Sequence, residues 1–542
     1  MSHNTPHYLK SNVQVEPLFD QWYAWPHLIS PATAACNLVK RHFQIMDSYI
    51  ESPEIHQLAV KNPKMRGGPF VDLDGKRVDE IRQLRERTAS QRRVLLALYE
   101  DLKALDSMLM SKAKGFSLHP LYEHVPERLR GYVELTYDLH NRPAFRLIEP
   151  FLYETPFYDT SAQSLMLSPI SSDDRPFVLS TPRLETDGST HLRWPFSDSR
   201  VDELFRLKKE GRTQGEIAER LSPEVMQQIR PFLTEEAPQP YQPYSGSGLR
   251  WRYFGHACIL VESEGANILV DPVLSYTYES DISRYTYDDL PDVIDYVLIT
   301  HNHQDHVLFE TMLQLRHKIR HVIVPRNGSG VLQDPSLRLI LENTGFRNIV
   351  ELTEMQSVEF EGGAITAIPF LGEHCDLDIR TKTGYLVKIG SQSLLFAADS
   401  CNIEPRLYDL VHRTSGDIDI LFLGMECDGG PLSWLYGPLL FSPVDRAIDY
   451  SRRLNGSNYG QAIGIVDALK CKHVYVYAMG QEPWLNYIMS IKYTEQSRPI
   501  VESNRLIEEC RRRGITAERL FGEKEILLGA AGGLQMSHSH GG

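Results

Sequence analysis

The sequence predicts two parts, a separate N-terminal α+β domain and a following α/β domain whose working loops sit at strand ends. Three observations carry the prediction. From Glu235 to Gly248 the chain reads EEAPQPYQPYSGSG, where prolines and then alternating Ser and Gly interrupt all periodicity and mark a linker. Beyond it the texture changes to short β-branched runs punctuated by Gly, Asp and Pro. One of those runs, Val293 to Ile299, empties directly into a crowd of histidines and acids, which puts chemistry on the loop that follows it. The expected boundaries are 1–235 for the N-terminal domain, 236–248 for the linker, 249–528 for the catalytic domain and 529–542 for a flexible tail.

In the N-terminal part, Val78 to Met110 reads as one long helical stretch. Leu95, Leu98, Leu102, Leu105 and Leu109 alternate spacings of three and four, a coiled-coil-like seam that suits either an internal hairpin or a dimer contact. Trp22, Tyr23 and Trp25 form an aromatic cluster for a core or an interface. Val201 to Leu221 resembles a helix-turn-helix, but no further basic run accompanies it. After the linker, strands are expected at Cys258 to Val261, Asn267 to Val270, Val293 to Ile299, His321 to Val324, Ala364 to Pro369 and Leu394 to Phe396. A helix is expected at Val307 to Ile319.

Composition narrows the classes. The 542 residues are 42% hydrophobic and 24% charged, an ordinary globular balance with enough chain for a deep core. With 57 Lys+Arg against 71 Asp+Glu the net charge is −14, a field that repels nucleic-acid backbones and anionic membrane surfaces. Seven cysteines, an odd number without a C-x-x-C pair, suit a reducing compartment. No stretch approaches the ~18 apolar residues of a membrane span, and the N-terminus has no apolar signal region. The expected location is the cytoplasm. His538 and His540 in the tail could coordinate metal, although a flexible end is the simpler reading.

The informative segment is DYVLITHNHQDHVLF. His301, His303, Asp305 and His306 crowd into six residues after Thr300. A single loop histidine is ordinarily surface or hydrogen-bonded structure, but four potential ligands converging after an apolar strand point to metal. His301 and His303 can face one ion, while Asp305 and His306 lie where the turn reverses and can face a second.

This H-x-H-x-D-H segment resembles the signature of the metallo-β-lactamase fold, an αββα sandwich that holds one or two metals at its sheet edges. FGHACILVE with NILVDP (Phe254 to Pro272) resembles the opening hairpin of that fold. FAADS (Phe396 to Ser400) resembles the strand carrying its bridging aspartate, here Asp399. Two departures stand out. Where a third-strand histidine is usual, the chain reads FLGEHCD and offers Glu373 beside His374, either of which could be the ligand. Where a last histidine is usual, KHVYVYAMG places Ala478. The implied ligands are His301, His303 and Glu373 at one ion and Asp305 and His306 at the other, with Asp399 bridging. Such a carboxylate-rich set suits a redox-active ion better than zinc, which has no redox chemistry.

These features resemble a narrower group, the di-iron β-hydroxylases with a metallo-β-lactamase fold known from chloramphenicol biosynthesis and related non-ribosomal peptide pathways. The texture of VQVEPLFDQWYAWPHLI and RGYVELTYDLHNRPAFRLIEPFLY extends the resemblance over nearly the whole chain. It implies a non-haem monooxygenase with two Fe ions that uses O2 and an external electron donor. Its substrate would be an aminoacyl thioester on a peptidyl carrier domain, hydroxylated at the β carbon. It also implies a reductase partner and a homodimer formed through the N-terminal domain. Competing readings are a di-zinc hydrolase of a thioester or lactone, and a hydroxylase of a coenzyme A thioester. Glu373 and Glu426 are the candidate catalytic carboxylates, with Asp428 beside the latter as a possible loop cap. His256 and Asp271 are expected to support the ligands, Cys375 and Cys401 to be core thiols, and Trp434 and Tyr436 to line an aromatic channel.

Overall fold

The computed structural model describes residues 5–175, 177–529 and the backbone of Leu534–Gln535; His538 and His540 lie outside the described residues. Two mixed sheets face each other across a buried apolar layer. The first begins with the antiparallel hairpin Leu249–Gly255 and Cys258–Ser263 and the strand Asn267–Val270. It continues with the parallel strands Ile294–Leu298, Ile319–Pro325 and Ile349–Leu352. Lys524–Leu528 pairs with the other side of Leu249–Gly255 and extends the sheet.

The second sheet is an antiparallel meander of Ser357–Phe360, Gly363–Ile368, Gly384–Ile389 and Gln392–Phe396. It continues in parallel through Ile420–Gly424, His473–Tyr477 and Thr516–Arg519. Period-two alternation sends Trp251, Phe396, Phe422 and Tyr475 into the layer between the sheets, where their rings stack or meet edge to face. The opposite face of the second sheet is covered by the helices Arg406–Ser415, Tyr459–Leu469 and Arg498–Arg512 around a separate cluster including Leu421, Val466 and Leu506. Every expected strand is present, shifted by one or two residues at its ends. The expected helix at Val307 to Ile319 is the shorter Phe309–Leu315 followed by a 3₁₀ turn.

The N-terminal part carries a four-stranded antiparallel sheet ordered Trp22–Tyr23, Val13–Phe19, Gln163–Pro169 and Thr190–Leu192, flanked by helices. Its independence is less than the sequence suggests. One continuous apolar cluster runs from Val13, Trp22 and Leu102 through Phe309 and Met312 to Leu432 and Tyr436, so it also forms an outer layer of the sandwich. Residues 235–248 contain no helix or strand, and they lie against the body: Tyr241 hydrogen-bonds Glu262, and Arg250 Nη2 donates to Gln242 O at 2.8 Å.

Two readings of the leucine stretch are corrected. The helix is interrupted, Val78–Gln91 and then Arg93–Lys112, because Arg92 leaves helical geometry. Its buried guanidinium is bound by Asp20 and Asp159. The leucine seam is buried within the chain, with Leu98, Leu102 and Leu105 at 0% exposure, and packs on the helix Pro31–Asn37. It is therefore no free face for a second copy. In the helix-turn-helix-like segment, the apolar faces of Ser199–Arg206 and Gln214–Leu221 are likewise internal.

Candidate metal centre

The site forms where strands of both sheets end at one edge. Ile294–Leu298 leads to His301, Asn267–Val270 to Asp271, Gly363–Ile368 to Glu373, Gln392–Phe396 to Asp399 and Ile420–Gly424 to Glu426. Ligand loops collect at the carboxyl ends of parallel strands because the crossover leaves the sheet there. The chain bends sharply to do so. His256, Asp271, Glu373, Cys375, Ala398 and Ala478 all take positive φ, a costly backbone region that clusters at working sites. Gly424 leaves room for the aspartate: a Cβ there would meet Asp399 Oδ1 at 2.5 Å.

Three groups of ligand atoms converge, each within 4.8 Å: His301, His303, Glu373 and His374; His301, His306 and Asp399; and His256, Asp305 and His306. His303 Nδ1 lies 2.8 Å from Glu373 Oε1, and His301 Nε2 lies 3.9 Å from Glu373 Oε2 and 3.7 Å from Asp399 Oδ2. His306 Nε2 is 3.2 Å from Asp399 Oδ2 and 3.8 Å from Asp305 Oδ2. His301 Nε2, His374 Nε2, Glu373 Oε2 and Asp399 Oδ1 are buried without a hydrogen-bond partner. Converging lone pairs in a dry site are what a cation takes up, so a di-metal centre fits these side chains.

Neighbouring groups aim the ligands. Asp271 accepts from Thr300 N at 2.8 Å and from Thr300 Oγ1 at 2.6 Å, and its Oδ2 lies 2.8 Å from His306 Nδ1, which turns Nε2 inward. Thr300 Oγ1 also lies 3.0 Å from His301 Nδ1. Tyr436 OH is 3.0 Å from His303 Nε2, leaving Nδ1 for the centre. His256, expected to support the ligands, stands in the third of the converging groups. Gly480 N donates to its Nδ1 at 3.2 Å, which leaves Nε2 facing Asp305 Oδ2 at 3.2 Å.

Electrostatics agrees with tight coupling. Burial and the neighbouring imidazoles push His301 well below its usual value, and burial lowers His374 to about 4. Burial raises Glu373, but His303 and His374 outweigh it and hold the carboxyl at about 2. Glu426, partly accessible, is pushed well above the ordinary carboxyl range by burial and by Asp399, Asp305 and Glu373. Asp428 points away and pairs with Arg453 at 3.5 Å. Cys375 and Cys401 are buried thiols raised to about 12 and about 11, and neither joins a ligand group. Ala478, at the end of His473–Tyr477, offers no ligand atom; its N–H donates to His256 O. What the sequence left open was the company of Tyr436 and His27. His27, brought from the N-terminal domain, lies 6.3 Å ring to ring from Tyr436 and is lowered to about 3 by burial.

Comparison with known proteins agrees with this construction. Residues 8–238 match the family described as "Diiron non-heme beta-hydroxylase N-terminal domain", and residues 266–443 match the beta-lactamase superfamily domain. The chain is 40% identical over 531 residues to the 4-amino-L-phenylalanyl-[CmlP-peptidyl-carrier-protein] 3-hydroxylase of Streptomyces venezuelae, covering 96% of this chain and 99% of that one. It superposes with a TM-score of 0.90 at 38% identity on the crystal structure of CmlA, a diiron β-hydroxylase from the same organism, covering 97% of this chain and 100% of that one. A mutant of that enzyme gives 0.89 over 96% of this chain. The N-terminal family match, the 40% identity over nearly the whole of both chains and the full-length superposition identify the chain as a member of the CmlA-type diiron β-hydroxylase family.

Proposed function

We propose that this chain hydroxylates the β carbon of an aminoacyl group held as a thioester on a peptidyl carrier domain, in the biosynthesis of a non-ribosomal peptide natural product. The observation that carries the reading is the donor set: Asp305, Glu373 and Asp399 stand among five imidazoles, those of His256, His301, His303, His306 and His374, and Ala478 occupies the strand end where the fold usually adds another. His301, His303 and Glu373 would hold one iron and Asp305 and His306 the other, with Asp399 between them. Two such irons supply O2 activation with electrons from an external reductase, chemistry that carboxylate and imidazole ligands support.

The chain's own residues then orient and exclude. Asp271 and Thr300 hold His306 and His301 in register, and His256 steadies Asp305. Glu426, whose carboxyl is pushed above its ordinary range by burial and by the neighbouring carboxylates, stands at the accessible side of the site. His27 and Tyr436 close the inner side against water. The reading includes a cytoplasmic enzyme; among the described residues no helix is long and apolar enough to cross a membrane. It also includes a homodimer, whose contact must lie elsewhere than the buried leucine seam.

The test is metal content per chain with Mössbauer spectroscopy after iron enrichment, followed by mass spectrometry of aminoacyl carrier proteins incubated with O2 and a reductant. Two spin-coupled irons and a gain of one oxygen atom on the carrier-bound amino acid are expected. Two zincs, with no iron cluster after anaerobic reconstitution, would move the assignment to a hydrolase.

A further inference from the structure

A cleft of about 610 Å³ opens between the N-terminal domain and the sandwich, a volume typical of small-molecule sites. Its wall includes Gln304, the residue between His303 and Asp305, with Phe70, Phe177 and Trp434 as apolar sides. Lys40 and Arg41 also line it. They sit on Leu38–Phe43, a π-helical turn between the α-helices Pro31–Asn37 and Gln44–Glu51. Such turns are rare and concentrate at functional sites, because the extra residue shifts side chains out of α-helical register. Here the shift belongs to two adjacent cations.

Both are half-buried and neither has a carboxylate within ion-pair distance among the described residues. Lys40 hydrogen-bonds Leu440 O, and Arg41 Nη2 donates to Trp434 O at 2.7 Å, which leaves further donors on each. Burial lowers Arg41 to about 10, and the neighbouring Cys36 thiol, raised to about 12 by burial, brings no negative charge. In a chain with 71 acidic residues, two adjoining desolvated cations that meet none of them call for an external anion. The helix Leu432–Tyr436 links this pair to the metal centre: Arg41 holds the carbonyl of Trp434, and Tyr436, two residues on, contacts His303.

We propose that Lys40 and Arg41 bind the phosphate of a pantetheinyl arm whose acyl end passes Gln304 toward the metal loop. The inference rests on the carrier-thioester reading and commits to the carrier's arm, although coenzyme A presents the same phosphate. Lysine and arginine together meet a phosphate with charge-assisted hydrogen bonds, and the apolar walls suit the uncharged remainder of the arm.

The test is calorimetric titration of the iron-loaded 542-residue chain with 4′-phosphopantetheine and with pantetheine, which differ only in the phosphate, and with coenzyme A and the aminoacyl carrier. The phosphorylated probe should bind about tenfold more tightly at low salt. Lys40→Gln and Arg41→Gln should each erase most of that advantage while leaving pantetheine affinity unchanged, and should weaken binding of the aminoacyl carrier. Equal affinities of the unsubstituted chain for the two probes would overturn the site however the variants fold. A phosphate preference surviving both substitutions would overturn the assignment to these residues, and a loss confined to coenzyme A would overturn the carrier source. Turnover of the aminoacyl carrier without any phosphate preference would sink this site and leave the hydroxylase reading intact; absent iron and turnover would sink that reading instead.

Discussion

Two buried clusters of charge meet the chain on either side of His306, and they are built on opposite principles. Glu310, four residues after His306, accepts from Arg175 Nη2 at 2.9 Å, from Tyr23 OH at 2.7 Å and from Tyr276 OH at 2.6 Å. Glu16 meets the same Arg175 at 2.7 Å and Arg183 at 3.1 Å. Two carboxylates face two guanidiniums, and the cluster joins the N-terminal sheet to the helix Phe309–Leu315. At the metal centre, Asp305, Glu373 and Asp399 have no arginine or lysine within ion-pair distance among the described residues, only imidazoles and one another. Buried charge that is matched inside the protein is a structural weld; buried lone pairs that converge unmatched are a receptor for positive charge.

The sharpest way to break this contrast is at the unmatched cluster. Glu373→Ala should remove iron from at least one site and lower turnover by about 100-fold or more, whereas His374→Ala, which leaves the Glu373 carboxylate in place, should cost about tenfold. Elemental analysis and turnover of the aminoacyl carrier read both, and equal iron loss from the two variants would remove the preference for Glu373. At the matched cluster, Glu310→Ala should leave Arg175 under-compensated and destabilise the fold by about 3–5 kcal/mol, measured by denaturant unfolding, while the folded fraction keeps its iron. A loss below about 1 kcal/mol would make the weld decorative.

A milder test uses a third acid at the same seam. Glu149, buried and accepting from Ser336 N at 3.1 Å, is raised to about 8 by burial and has no cationic partner among the described residues. Its folded value lies above its unfolded one, so its contribution is complete below about pH 4.5 and is lost as pH rises through about 8. Stability should fall by on the order of 1 kcal/mol per pH unit across that window, and Glu149→Gln should flatten the slope. Thermal or denaturant midpoints at several pH values, compared between the two proteins, check it; parallel curves would show that Glu149 is ionised in the fold.

Much of the candidate site was legible because four of its candidate ligands are local. His301, His303, Asp305 and His306 occupy one loop, and the strand before them is apolar enough to read as buried. Glu373 and Asp399 follow strands of equally plain texture. His256 was harder: a histidine in a hairpin carries no sign of which nitrogen is free, and only Gly480, 224 residues away, settles its tautomer. Tyr436 and His27 reach the centre through packing between distant segments, which no spacing encodes. The leucine seam misled in part because a heptad-like stripe is equally suited to any apolar partner, and here the partner is a helix of the same domain.

The sequence by itself determined the sandwich strands and the crowding of His301, His303, Asp305 and His306 on one loop, since periodicity and short-range spacing dictate them. Tertiary structure alone decided that the N-terminal domain shares one apolar core with the sandwich, that Arg175 welds them, and that Lys40 and Arg41 face a cleft beside the metal loop. Those outcomes depend on which surfaces meet, and contact between residues hundreds of positions apart is set by the packing of whole layers rather than by any local pattern.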